Sequence, residues 1–444
     1  MKTRSLPHTI GIVSLGCAKN LIDSELLLKQ LDSSNLKIAF DPASIRGIDT
    51  MVINTCGFIG DAKQESVETI LQYTQAKSEG KLKQVFVMGC LSERYREQLR
   101  KNIPEVDAFY GVNELKKIVR DLGGHYNRYL LGERLISTPS HYAYLKIAEG
   151  CDRKCSFCAI PGIRGKHISR PPAEILREAE GLVANGVKEI IVISQDTTYY
   201  GLDLYNRRKI ARLLEQLAGI NQDGWIRLHY AYPRGFPLDV LQVIVDHPNI
   251  CRYIDIPLQH INNRILKSMK RGLSSVKTRE LIEAIRKKIP GLTLRSSFIV
   301  GYPGETDSEF HELLEFVKEA EFDRLGVFTY SHEEHTSSYK LRDTISQARK
   351  QERADEIMAL QEQISFKKNT SLIGNRIRVL VDRKEGEYYI GRSEGDSPEI
   401  DNEILIPVTG NKLKPGTFSE VQIISAESFD LYAEPFGMLG RSRK

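Results

Sequence analysis

The chain has 444 residues, 41% hydrophobic and 27% charged, with a formal net charge of +5 from interspersed signs. That balance excludes a polycationic nucleic-acid tail and an acidic disordered chain, and it can build cores for two or three domains. No apolar run approaches the ~18 residues that span a bilayer, and Met1–Ser5 leads into a polar turn rather than a signal-peptide core, so the sequence reads as cytoplasmic.

In chain order, the apolar runs Thr9–Leu15, Asp49–Asn54 and Gln84–Met88 have the length and β-branched content of buried strands. Between them, Ser24–Leu31 and Gln64–Tyr73 carry apolar residues at helical spacing. This βα alternation predicts a parallel sheet with flanking helices over residues 8–125. A polar stretch, Arg134–His141, reads as a linker.

A second βα series occupies 137–367. Its strands are predicted at Tyr144–Ala148, Lys188–Ser194, Trp225–Tyr230, Cys251–Ile256, Leu292–Val300 and Arg324–Tyr330. The helices between them include Pro172–Ala184, Arg207–Leu217, Leu238–Val245, Lys277–Lys288 and Asp307–Ala320, and Ser346–Asn369 follows. Six βα units are too few for a closed eight-fold barrel, so an open partial (βα)6 barrel is expected. From 370 to 438 the pattern changes: short runs at Arg376–Val381, Tyr388–Gly391, Ile404–Pro407 and Ser419–Ile424, separated by turn residues, predict a small antiparallel β-barrel.

Seven cysteines, odd in number, argue against a disulfide framework. Cys151, Cys155 and Cys158 form C-x3-C-x2-C directly after the first strand of the second series. Chance places that triple in this composition about 0.002 times. Three thiolates on one loop suit a soft centre, zinc or an iron–sulfur cluster. A structural zinc needs a fourth ligand, commonly from a second knuckle, and none lies nearby. Three cysteines on a 4Fe–4S cluster instead leave one iron open. Zinc, or an inert core, stays the alternative.

The spacing, with aromatic Phe157 before the last cysteine, resembles the signature of the radical S-adenosylmethionine (SAM) superfamily. The resemblance implies that SAM chelates the open iron and that one electron from the cluster cleaves it to methionine and a 5′-deoxyadenosyl radical. The open six-unit barrel matches that superfamily's core. Barrel sites lie at the carboxyl ends of strands, where this chain carries Glu149, Ser194-Gln195-Asp196, His229, Gln259-His260, Gly301–Glu305 and Ser331-His332. Phe157, Gln195, Gln259 and Gly301 are the candidate SAM contacts, Gly301 because a glycine turn lets backbone approach the adenosine. No side chain is assigned as acid or base, since the cofactor carries the chemistry. Gly162–His167 lacks the spacing of a phosphate loop.

Cys17, Cys56 and Cys90 stand alone by spacing, yet each follows one of the three N-terminal apolar runs within two residues. If those runs are parallel strands, all three thiols leave one sheet at its carboxyl edge, where open α/β folds bind ligands. A second cluster with an open iron is the expectation; three buried small hydrophobes, as Cys251 is expected to be, are the alternative. Three-cysteine domain, radical-SAM barrel and TRAM-type barrel together resemble the methylthiotransferase family. That family uses one SAM as methyl donor and a second as radical source, and two 4Fe–4S clusters.

The family divides between tRNA adenosine derivatives and an aspartate of ribosomal protein S-twelve. Ser14–Glu25, containing Ala18-Lys19-Asn20, and Ile193–Gly201 look like the RimO-type branch, which modifies the protein. Residues 371–437 hold seven Lys/Arg against twelve Asp/Glu. An RNA-gripping domain should be basic. The acidic run Glu394, Asp396, Glu399, Asp401 and Glu403 is therefore expected to attract the basic ribosomal protein rather than tRNA. A flavodoxin-type reductant is the expected electron donor, and no membrane partner is expected.

Overall fold

The computed structural model describes residues 9–130, 132–410 and 412–436. The signal-peptide reading of Met1–Ser5 and the outermost domain limits, 8 and 437–438, lie outside them. The described residues fall into two compact units.

The first unit comprises the described residues of Met1–Thr138, with Glu149–Arg170 and Ser331–Tyr339. It holds β1 (Thr9–Ser14), α1 (Ala18–Asp32), β2 (Lys37–Phe40), β3 (Thr50–Thr55), α2 (Gly60–Ser78), β4 (Gln84–Gly89), α3 (Cys90–Asn102), β5 (Ala108–Phe109) and α4 (Leu115–Asp121). The strands form one parallel sheet in the order β2-β1-β3-β4-β5. β3 is buried along its whole length, as a central parallel strand covered on both faces must be. Glu25, buried on α1, pairs with Arg134 and accepts from the Ser137 N–H and hydroxyl, so the first part of the expected linker is anchored to this unit.

The second unit begins with β6 (Tyr142–Lys146). In the chain there follow the short β7 (Ala148–Glu149) and β8 (Ile168–Ser169), a two-stranded ribbon at the ends of the 149–170 segment, which belongs to the first unit and also contains α5 (Ile160–Arg164). Then follow α6 (Pro172–Ala184), β9 (Glu189–Ile193), β10 (Trp225–Leu228), β11 (Ile250–Asp255), β12 (Thr293–Val300) and β13 (Arg324–Thr329). The six long strands make an all-parallel sheet, β13-β12-β11-β10-β9-β6, with two free ends to the order: the open six-stranded arrangement that periodicity indicated. The helix Asp307–Ala320 starts at a capping box, Thr306 with Glu309.

After the helix Gln347–Thr370 come β14 (Arg376–Glu385), β15 (Tyr388–Arg392), β16 (Glu403–Pro407), β17 (Phe418–Ala426) and β18 (Asp430–Pro435), a closed five-stranded barrel around Val379, Val381, Ile404, Ile406, Val421 and Leu431. Its pairings are antiparallel except β16 with β18, which closes it in parallel.

Part of the acidic run, Asp396 and Asp401, is buried inside the chain. The end of β15 and the loop that follows it receive one polar side chain from each long strand of the six-stranded sheet. Tyr142 on β6 donates to Glu399 at 2.8 Å, and Glu189 on β9 pairs with Arg392 at 2.7 Å. Arg227 on β10 donates to the Glu394 carbonyl, and Tyr253 on β11 to Asp401, both at 2.7 Å. Arg295 on β12 pairs with Asp401, and Arg324 on β13 with Asp396 at 2.5 Å. Glu394 accepts from the Arg252 N–H, and Glu403 pairs with Arg383 inside the barrel. Asp396 and Asp401 are thus held by arginines of the sheet, which need counterions where they are buried, whereas Glu399 is exposed and Glu394 and Glu403 are half-buried.

Candidate functional site

Three strands with matched ends bring the lone thiols together. Ser14 pairs with Asn54, Asn54 with Met88 and Thr55 with Gly89, so β1, β3 and β4 stop in register, and Cys17, Cys56 and Cys90 follow at one sheet edge. Two glycines make the approach possible. A Cβ on Gly16 (φ +86°) would lie 2.6 Å from Cys56 Cβ, and one on Gly89 (φ +97°) 2.3 Å from Asn54 Oδ1. Ser66 of α2 clasps the Cys56 peptide, donating to its carbonyl and accepting from its N–H, both at 3.0 Å.

Asn20 lies at the centre of this edge, fully buried. Its amide donates to the carbonyls of Leu15 and Thr55, at 3.1 and 3.0 Å, and its Oδ1 accepts from the Cys90 thiol at 3.4 Å. Cys90 packs on Ala159, Ile163 and Val112. Burial pushes the Cys90 thiol up to about 12, with Arg164 working against the rise; burial also raises Cys56. Cys17 is exposed. A buried thiol held protonated is an unused ligand, which a soft metal centre converts to thiolate.

The second set stands on a tight loop in the same unit. Gly150 (φ +74°) touches residues 165–166 so closely that a Cβ would sit 2.0 Å from the Lys166 carbonyl oxygen. The Cys151 N–H donates to the Gly165 carbonyl, the Cys158 N–H to the Cys155 carbonyl, and the Arg153 N–H to Cys151 Sγ at 3.4 Å. Asp152 accepts from the His167 N–H. Three soft donors on one loop, with the Arg153 N–H turned on the Cys151 sulfur, fit an iron–sulfur cluster.

The candidate SAM residues divide between the units. Phe157 is half-buried in the cysteine loop. Gln195 and Gln259 lie half-buried beyond the carboxyl ends of β9 and β11. Gln259 has φ +76° and is held by β12 on both sides, its N–H on the Ser297 carbonyl and its carbonyl on the Ile299 N–H. Such backbone strain in a non-glycine residue clusters at ligand sites. Gly301 has φ +72°, and a Cβ there would lie 2.2 Å from Lys350 Cγ, so the turn is packed against that side chain. Other strand-end residues are also engaged. His229 is bonded to Ser397 and stacks on Tyr253, Asp196 accepts from the Thr198 N–H and hydroxyl, and His332 stacks on Tyr339.

Sequence reasoning did not assign Asn20 or Arg164. Arg164 lies among the basic residues beside the cysteine loop, and nothing in that run separates it from the exposed Lys166. Only the fold shows it buried against Glu149, Asn20 and Asp23. Burial works against its charge, but Asp23, Cys90 and Glu149 outweigh that and hold the guanidinium above its ordinary value.

Family models match the chain in three blocks: the radical SAM superfamily at residues 145–317, an uncharacterized protein family, UPF0004, at 9–111, and a TRAM domain at 373–435. The ribosomal protein uS12 methylthiotransferase RimO of Flavobacterium johnsoniae is 52% identical over 436 residues, covering 98% of this chain and 100% of the relative. The chain belongs to the RimO family of methylthiotransferases. RimO of Cytophaga hutchinsonii is equally similar, 52% over 435 residues, covering 98% of this chain and 99% of its own. In fold, the chain resembles TsrM, a radical SAM methyltransferase from Kitasatospora setae, with a TM-score of 0.52 at 13% identity over 73% of this chain and 75% of that one. As a RimO-family radical SAM methylthiotransferase, the protein uses SAM and a 4Fe–4S cluster. Among the described residues, no helix is long and apolar enough to cross a membrane.

Proposed function

We propose that this protein methylthiolates the β-carbon of an aspartate of ribosomal protein uS12 in the cytoplasm, taking electrons from a flavodoxin-type reductant. The observation that carries the reading is the pair of three-thiol sets in one compact unit, in a chain collinear with its RimO relatives. Cys151, Cys155 and Cys158 would hold the SAM-binding cluster, and Cys17, Cys56 and Cys90 a second one. When bound, the cluster on Cys151, Cys155 and Cys158 would supply the electron that cleaves SAM, and the one on Cys17, Cys56 and Cys90 an open iron for the sulfur to be methylated. Residues 8–125, 137–367 and 370–438 are the corresponding domains.

The chain's own residues prepare both positions. Asn20 fixes the three loops that carry the first set, and Ala159, Ile163 and Val112 keep water from Cys90. Gly150 and Gly165 fold the second set's loop back on itself, so that Cys155 and Cys158 stay accessible. Gln195 and Gln259, with Phe157 and Gly301, are the residues proposed to contact SAM.

The test is mass spectrometry of uS12 from cells with and without this gene. A gene-dependent gain of one methylthio group on an aspartate is expected. An unchanged peptide, with tRNA losing a methylthio nucleoside instead, overturns the substrate.

A further inference from the structure

A buried arginine demands partners, and those of Arg164 lie on two sides. Arg164 ends α5, six residues beyond Cys158, and its side chain is 2% exposed. On one side, Nη1 is 3.0 Å from both oxygens of Glu149, just before Gly150 and Cys151. The next residue, Gly165, accepts from the Cys151 N–H at 3.1 Å. On the other side, Nη2 donates to Asn20 Oδ1 at 2.6 Å and to Asp23 Oδ2 at 2.9 Å, both on α1, the helix that follows Cys17. Asn20 is bonded to the loop before Cys17, to the peptide before Cys56 and to the Cys90 thiol. One guanidinium therefore joins the hub of the first thiol set to the root of the second.

We propose that Arg164 is a positioning residue, a strut through Asn20, Asp23 and Glu149 that fixes the two thiol sets relative to each other. The proposal rests on the two-cluster reading above. A planar fork with donors on both arms can bridge a carboxylate and an amide–carboxylate pair at once; the single ammonium of lysine cannot.

The consequence is selective. Cleaving SAM requires only the second set, whereas delivering sulfur to the substrate carbon requires both at contact distance, and a displacement near 1 Å costs about 10²-fold. A substrate radical that misses its sulfur takes one electron from the assay's dithionite and one proton from water, returning to substrate. One SAM has by then become methionine and 5′-deoxyadenosine. Loosening the strut therefore raises the 5′-deoxyadenosine formed per methylthiolated product.

The experiment uses full-length protein, reconstituted anaerobically and reduced with dithionite, with purified uS12. Wild type, Arg164→Lys and Arg164→Met are compared for iron per chain, for the ratio of 5′-deoxyadenosine to product, and for the spin–spin broadening of the reduced clusters in electron paramagnetic resonance. The expected result is wild-type iron, a ratio raised at least about tenfold in both variants, and altered broadening. Variants with full iron that keep the wild-type ratio and line shape overturn the proposal. If Arg164→Met does not assemble, Asp23→Asn and Glu149→Gln each cut one arm and are judged by the same criteria. A wild type that binds only about four irons overturns the two-cluster reading and this proposal with it.

Discussion

Replacing Asp396 by asparagine separates a structural from a recruiting role for the acidic C-terminal run. Its carboxylate is fully buried, lies 2.5 Å from Arg324 Nη2 and 3.0 Å from Nε, and accepts from Ser393 Oγ at 2.5 Å. Asparagine keeps the shape and one acceptor but removes the charge, leaving Arg324 buried with less compensation. Losing one partner of a buried pair costs about 3–5 kcal/mol, and the retained acceptor places this variant near the lower figure. At about 2–4 °C per kcal/mol for a unit of this size, its melting point falls by about 6–12 °C. Thermal unfolding of the full-length apoprotein by circular dichroism measures this. The matched control is Arg279→Ala, which breaks the half-exposed Arg279–Glu319 pair and costs under about 1 kcal/mol. An Asp396→Asn protein that melts with wild type while binding uS12 more weakly refutes the structural role and restores the recruiting one.

Other predictions follow from the same structure. Changing Cys17, Cys56 and Cys90 together to alanine lowers iron from about eight to about four per chain by anaerobic elemental analysis, with Cys151, Cys155 and Cys158 intact. Gly16→Ala places a methyl group 2.6 Å from Cys56 Cβ at φ +86°, and reconstituted protein should carry about half the wild-type iron with unchanged far-ultraviolet circular dichroism. Gly301→Ala pushes Lys350 off the Tyr330 carbonyl and Asp343, a loss of about 1–3 kcal/mol readable in urea unfolding. Burial raises Glu189 and Asp382, but Arg392 and Arg227 around the first, and His141 and Arg392 around the second, outweigh it and leave both carboxyls below their usual values. Their contribution is therefore full above the ordinary carboxyl range and lost as pH falls through the depressed values, below about 4. Asp401, raised by burial, runs the other way and softens that loss. Denaturation at pH 7, 5 and 3 measures the slope.

The parts of the fold that could be read from sequence are those where local chemistry and tertiary structure agree. Pro172–Ala184 and Asp307–Ala320 were delimited to the residue because a proline pair and a Thr306–Glu309 box mark their starts. The half-buried edge strand β2 and the two-residue β5 lack a full apolar run, and α3 reads as a charged stretch, so periodicity passes over them. In the site, the three sheet-edge thiols were legible because strand ends in a parallel sheet share an edge. Asn20 and Arg164 were not, because 144 residues separate them and nothing local marks a buried polar side chain. The burial of Asp396 and Asp401 was hidden for the same reason: their counterions Arg324 and Arg295 lie far back in the chain, and counting charge by segment treats every carboxylate as if it faced water.

The engagement of all six strands with residues 392–401 has a bearing on chimeras. Grafting another relative's C-terminal module to retarget the enzyme would import six unmatched contacts along with the new recognition surface. A workable exchange would cut outside that stretch, keeping the native connection between β15 and β16 and transplanting only the remaining loops.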